Sequence, residues 1–412
     1  MRDELLKFLE AKKIITNKQH GFVRGRSCLT NLLQTFEEWT AAIDEGQGID
    51  VVYLDYRKAF DTVPHGRLIK KLSDYGVHEE MLRWIQSFLS DRRMRVNTRG
   101  SYSDWIDVIS GVPQGSVIGP LLFLCYVNDI PDWMLNSIIL FADDIKIWKK
   151  INDDQDSNGL QDDLNTLQQW SDRWLLGFNT PKCSVMHVGH NKDTRYYLKD
   201  NGSLVELKEI REEKDLGVVV TNDLKPSGQC KAAASKARAI LGWIYRHFKK
   251  LSQKQFLTIY KAYVRPHLEY SVQAWSPYLQ KDIICLESVQ RRATKMIHVF
   301  YNFSYSERLQ RLNLTTLEAR RVRGDLIETY KLLHGVEKVD YRQFFTLNDS
   351  VHDLRGHSMR LIKPRSRLQL RQNFYSQRVI KHWNSLAQEA VESSSVNSFK
   401  NNIQRYIRDM GK

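Results

Sequence analysis

The pattern of apolar and polar positions is sharpest at Ser137 to Trp148, SIILFADDIKIW: an apolar run, two adjacent carboxylates, then an apolar/polar alternation from Ile145. That order predicts a tight β-hairpin with Asp143 and Asp144 at its tip. Ile49 to Leu54 is a nearly continuous apolar run, as expected of a strand covered on both faces, and Asp55 closes it. Leu160, Leu164, Leu167, Trp170 and Trp174 recur at helical spacing and predict a helix with a core-facing stripe. A turn follows at Asn179 to Lys182, leading into another strand.

The remaining elements follow the same logic. One helix is expected over residues 1–16, and another through Leu32, Leu33, Phe36 and Trp39 after caps among Ser27 to Thr30. Further helices are expected at Gly66–Tyr75 and Glu79–Leu89, then strands at Met94–Thr98 and Trp105–Ile109. The loop SGVPQGSVIGP leads into a very apolar helix, LLFLCYVNDI. Asn201-Gly202 predicts a hairpin turn. Beyond Gln229 the chain reads as largely helical, at Cys230–Phe248, Gln253–Val264, Tyr278–Val299, Thr316–Leu333, Phe374–Val391 and Ser398–Arg408. An irregular basic stretch from Asp340 to Leu370 carries Arg355, Arg360, Lys363, Arg365 and Arg367. The pattern shows no internal repeat.

Charge changes the picture. The 412 residues carry a formal charge of +14, divided unevenly: 28 Lys+Arg against 34 Asp+Glu in residues 1–224, and 34 against 14 in residues 225–412. An acidic half bearing the motifs and a basic half after it predict metal chemistry in the first and a phosphate-backbone grip in the second. Cys28, Cys125, Cys183, Cys230 and Cys285 are scattered without a C-x-x-C or a Cys/His cluster, which supports neither a disulfide framework nor a zinc site. The start, MRDELLKFLEAKK, lacks the apolar core of a signal peptide, and the apolar run Leu121–Val127 is too short to span a bilayer. An intracellular protein without a membrane partner is expected.

The candidate chemistry rests on carboxylates at strand ends. Asp55, Asp143 and Asp144 are what a two-metal phosphoryl-transfer site needs, and hard oxygen ligands suit Mg²⁺, with Mn²⁺ as a substitute. An Asp pair between strands suits an ordinary turn equally well, and by position alone Lys182 reads more readily as a simple turn lysine. Arg24 and Arg26, flanked by Gly21 and Gly25, form a flexible basic loop suited to phosphates. Gln114 is the one polar side chain of its Gly/Pro-fixed loop long enough to reach a neighbouring site.

Taken in order, QHGFVRGRS, LDYRKAFD, GVPQGSVIGPLLF, FADD, a lysine-bearing turn and DLGV resemble the reverse transcriptases of non-LTR retrotransposons of the jockey/CR1 type. EYSVQAWSPYLQKDIICLESVQRRATKMI resembles the segment that follows the palm in those elements, so the resemblance covers roughly residues 19–300. It implies an RNA-directed DNA polymerase that adds dNTPs to a primer 3′-OH, on a DNA primer or target DNA, along an RNA template. By motif, Asp55 and Asp143 would bind both metals with Asp144 in support, and Lys182 would protonate the pyrophosphate. Phe60 would be the aromatic gate that excludes a 2′-OH, and Gln114 would lie against the nascent base pair. The resemblance also implies a nuclear setting if copying is primed at a genomic target.

The implied fold is α+β: a right-hand polymerase palm whose antiparallel sheet is packed with helices, partial fingers, a helical thumb and a basic, mainly helical C-terminal region. The boundaries expected are 1–47 for partial fingers, 48–225 for the palm with a primer-grip-like hairpin, 226–300 for the thumb and 301–412 for the C-terminal region. The resemblance also leads one to expect an N-terminal endonuclease and further fingers strands, which these residues do not contain. The alternative is therefore a truncated, inactive relic that only binds nucleic acid.

Overall fold

The computed structural model describes residues 1–189, 192–248, 250–348 and 356–410, so Arg355 lies outside the described residues. The chain divides into two compact units, residues 1–31 with 47–210 and residues 32–46 with 211–412.

The first unit is built on a five-stranded sheet. Its strands are β1 (Gly48–Leu54), β2 (Ser137–Phe141), β3 (Asp144–Ile151), β4 (Ser184–Val188) and β5 (Lys208–Glu209), in the spatial order β5-β4-β1-β3-β2. Every pairing is antiparallel except the short parallel edge of β5 on β4. All seven residues of β1 are buried, which is why its sequence is apolar throughout but for Asp50. That carboxylate is satisfied by three side chains: His187 Nδ1 at 2.5 Å, and the hydroxyls of Thr194 and Tyr196, each at 2.6 Å. A buried polar group held this way fixes register as well as fold.

Helices pack the core, with Leu5 and Leu9, Leu68 and Leu72, and Ile85 and Leu89 added from the helices Arg2–Ala11, His65–Asp74 and Glu79–Leu89. Helix α1 (Gly119–Val127) is buried along almost its whole length, and α2 (Asp154–Trp174) buries Leu160, Leu164, Leu167 and Trp170, the stripe read from the sequence. Lys71 is buried among them; its ammonium meets Asp129 at 2.5 Å and lies 3.8 Å from the centre of the Trp174 ring and 4.8 Å from that of Trp170. Burial pulls it down to about 8, while Asp129 acts to hold its charge.

Local departures from expectation have local causes. The first helix ends at Ala11, not residue 16, because Lys13 takes a left-handed backbone. The strand expected at Met94–Thr98 is split between Arg92–Met94, paired with Ile106–Val108, and Asn97–Thr98, paired with Ser101–Tyr102, and the one expected at Trp105–Ile109 shortens to Ile106–Val108. Asn201 and Gly202 both take positive φ in a two-residue hairpin turn, as their sequence predicts.

The second unit is mainly helical, with principal helices Ser227–His247, Gln280–Thr294, Leu317–Leu333 and Tyr375–Asn384. It also takes in the hairpin Glu212–Asp215 with Val218–Thr221. The expected Gln253–Val264 helix passes through a π turn at Tyr260–Val264 just before Pro266, which has no amide hydrogen to continue the ladder. Partly buried ion pairs pin the helices together: Arg378 grips Asp325 through two bonds of 2.8 Å, and Arg320 grips Glu269 in the same forked manner. Among the described residues, no helix is long and apolar enough to cross a membrane.

Candidate active site

Asp55 leaves the central strand just past Leu54. Its carbonyl accepts from the Asn179 amide at 2.8 Å, and Arg57 donates to the Gly177 carbonyl at 2.8 Å, so the turn after α2 is zipped alongside it. Through that zipper Asn179 Nδ2 donates to Asp55 Oδ2 at 3.0 Å, and Lys182 Nζ stands 3.3 Å from the same oxygen. The Lys182 side chain is two-thirds exposed at 67%, so its ammonium faces both Asp55 and solvent.

Asp143 occupies the second position of a two-residue turn between β2 and β3, which closes on the pair Phe141–Asp144. Burial pushes its carboxyl above the usual carboxylate range; the nearby Asp55 carboxylate adds to this, while the turn's backbone and Lys182 act against it. Asp55, Asp143 and Lys182 are therefore one electrostatic group. Asp144 is placed differently from the tip position expected: it is the first residue of β3 and is exposed. Adjacent residues at a strand end point to opposite sides, and only one of the two can share a cleft with Asp55.

Phe60 and Gln114 are brought together by a second zipper. Val112 donates to the Phe60 carbonyl and Gly111 to the Val63 carbonyl, each at 2.8 Å, and Gln114 Nε2 donates to Asp61 Oδ1 at 2.9 Å. Gly111 has φ +85°, and a Cβ there would lie 2.5 Å from the Asp61 carbonyl oxygen, so only glycine allows the loop to lie this close. The Phe60 ring stacks on Phe123 of α1 and takes the edge of Phe22 at 6.3 Å.

The Gly/Arg segment is pinned rather than flexible. Arg26 Nη1 donates to the carbonyls of Thr16 at 2.9 Å and Gln19 at 2.7 Å, and burial lowers its affinity for the proton. Arg24 is exposed. Three residues that sequence reasoning did not assign to the site belong here, Gln19, Phe22 and Asn179, and Gly21, read there only as a loop glycine, joins them. Phe22 is 57% exposed with φ +55°, a costly backbone for an aromatic residue.

Among the described residues, no three His, Cys, Asp or Glu side chains converge as a ready-made metal cage. Two carboxylates suffice for Mg²⁺, which keeps several waters and completes its shell with substrate phosphates. The like charges of Asp55 and Asp143 fit that use.

Residues 2–258 match the family described as reverse transcriptase (RNA-dependent DNA polymerase), and the chain belongs to it. The chain is 27% identical over 304 residues to the probable RNA-directed DNA polymerase from transposon X-element of Drosophila melanogaster, covering 71% of this chain and 33% of that protein. It is 27% identical over 278 residues to the RNA-directed DNA polymerase from mobile element jockey of Drosophila funebris, covering 65% and 30%. The resemblance to non-LTR retrotransposon polymerases is thus borne out. The chain spans about a third of the length of the curated relatives it matches. A solved telomerase from Candida albicans, in complex with a fragment of telomeric RNA, aligns with a TM-score of 0.42 at 10% identity over 73% of this chain and 55% of that one.

Proposed function

We propose that this chain is an RNA-directed DNA polymerase of a non-LTR retrotransposon, extending a primer 3′-OH with dNTPs on an RNA template. The observation that carries this reading is the joining of Asp55, Asp143 and Lys182 into one electrostatic group. Asp55 and Asp143 would hold divalent cations, Mg²⁺ or Mn²⁺, with Asp144 in support from the strand edge. When bound, these ions supply charge neutralisation at the phosphates and a lower pKa for the attacking hydroxyl.

The chain's own groups do the rest. Asn179 fixes the rotation of the Asp55 carboxylate, so that one oxygen is committed to Asn179 and Lys182. Lys182 Nζ gives its proton to the departing pyrophosphate oxygen and regains one from solvent. Phe60 presents a flat apolar face where a ribose 2′-OH would lie, and Gln114 lies against the nascent pair. On this reading residues 48–225 are the palm, 1–47 part of the fingers and 226–300 the thumb. The Lys and Arg side chains of the thumb would grip phosphates without reading sequence.

The test is primer extension on an oligo(dT)-primed RNA template by the purified chain with Mg²⁺. Asp143→Asn should lower incorporation by about 10³-fold or more, with RNA binding kept. RNA binding without extension in either protein would leave a binding module only.

A further inference from the structure

We propose that Gln19 and Gly21 are positioning residues that hold the Asp143 turn in its working shape; this rests on the reading of Asp143 as a metal-holding residue. The turn is Ala142-Asp143, and Ala142 has φ +56°. Two-residue hairpin turns that need a positive φ at the first position favour glycine there, because the Cβ of an L-residue crowds the backbone. The turn's own sequence does not supply that preference. Something outside it must.

Gln19 is placed to do so. It is 2% exposed, and its Oε1 accepts from the Ala142 amide and from the Gly21 amide, each at 2.8 Å, while Nε2 makes a longer contact of 3.4 Å to the Ala142 carbonyl. The backbone runs alongside the strand that feeds the turn: His20 donates to the Leu140 carbonyl, and Leu140 donates to the Lys18 carbonyl, each at 2.9 Å. Asn31 adds a bond to the same Leu140 carbonyl at 3.2 Å and is itself held by Lys146 at 2.8 Å.

Gly21 is needed for a different reason from most turn glycines. Its φ lies outside the positive range where glycine is favoured, so conformation does not demand it. A Cβ there would stand 2.4 Å from the Ala142 nitrogen, 3.0 Å from the Phe141 carbonyl carbon and 3.1 Å from the Ala142 Cα. All three are backbone atoms of the turn, with no flexible side chain to give way. Any larger residue must push the turn, and with it Asp143, off its place. An error of about 1 Å at a reacting centre can cost about 10²-fold in rate.

The experiment pairs a metal-binding readout with turnover, using the full chain. Mn²⁺ binding is followed by the loss of the free-ion EPR signal, and dNTP incorporation gives kcat and KM, for wild type, Asp143→Asn, Gln19→Leu, Gln19→Glu and Gly21→Ala. Gln19→Leu and Gly21→Ala should weaken the Asp143-dependent Mn²⁺ binding by about tenfold and lower kcat by about 10–100-fold, with the dNTP KM within about threefold. Gln19→Glu keeps an oxygen for both amides and should recover most of both. Adding Ala142→Gly to Gln19→Leu, which removes the need to force a left-handed alanine, should restore part of the loss. If Gln19→Leu and Gly21→Ala merely lower the melting temperature and bind Mn²⁺ like wild type, the inference is wrong. The same holds if Gln19→Leu misfolds and Gln19→Glu binds Mn²⁺ no better than Asp143→Asn. Wild-type Mn²⁺ binding that ignores Asp143→Asn would instead overturn the reading of the site, and the positioning role with it.

Discussion

The ring of Phe60 lies 4.3 Å, centroid to centroid, from that of Phe123 with 19° between their planes. Phe123 is fully buried on α1, so the proposed sugar gate is backed by the core and cannot swing away from a ribose. Phe60→Ala should therefore raise the relative use of rNTPs, measured as the ratio of kcat/KM for dNTP and rNTP, by about 10–100-fold. A gap the size of a hydroxyl pocket is worth a few kcal/mol of discrimination. An unchanged ratio would remove Phe60 from the gate.

Lys182 and Asn179 share one oxygen of Asp55, and the proposed function gives them different jobs. Lys182→Ala should lower kcat by about 10²-fold while leaving the dNTP KM within about threefold, because proton donation acts in the transition state alone. Asn179→Ala frees the carboxylate to rotate, and should raise the metal concentration needed for half-maximal rate. Single-turnover extension across a Mg²⁺ series separates the two. A Lys182→Ala effect confined to KM would argue for simple phosphate binding.

The Asp50–His187 pair makes stability depend on pH. Burial alone would disfavour the imidazolium, but the Asp50 hydrogen bond and charge outweigh it and raise the His187 pKa above its ordinary 6.5. The folded state then binds the proton more tightly than the unfolded chain. The contribution is fully present below about pH 6.5 and is lost as pH rises through the raised folded value. Melting temperatures of wild type and His187→Gln should differ most near pH 6 and converge by pH 9. A difference that grows with pH would reverse the sign and refute the pairing.

In the second unit, Asp325→Ala should strand the half-buried Arg378 guanidinium and cost about 3–5 kcal/mol. The double variant Asp325→Leu with Arg378→Leu should cost less than the single one, since neither charge is left alone. Denaturant unfolding followed by tryptophan fluorescence would measure both. A double variant worse than the single would mean that the pair is a net source of stability.

Much of the first unit is legible from short-range pattern. Strand β1 shows in its unbroken apolar run, and α2 in the spacing of Leu160, Leu164, Leu167 and Trp170. Asp55 and Asp143 stand out because carboxylates at the ends of apolar strands conflict with their surroundings unless they have a use. What stays hidden is long-range. Gln19 lies 123 residues before the amide it holds, so no local pattern links them. Arg26 resembles a phosphate ligand in the sequence, whereas its guanidinium reaches the carbonyls of Thr16 and Gln19 only once the loop has closed. The displacement of Asp144 onto β3 is a one-residue matter of register, which periodicity alone cannot fix.

The middle position of β1 has a consequence for how the protein is made. Its neighbours β3 and β4 come much later in the chain, and the Asp50–His187 bond spans 137 residues. A ribosome adding about 5–20 residues each second would leave that apolar strand unpaired for several seconds or more. During this time both its edges are open to other chains. Slowing translation between residues 55 and 188, or withholding chaperones, should therefore lower soluble yield more than the finished fold's stability would suggest. A ribosome that stops before Asn179 would release a chain with Asp55 and neither Asn179 nor Lys182 to hold it.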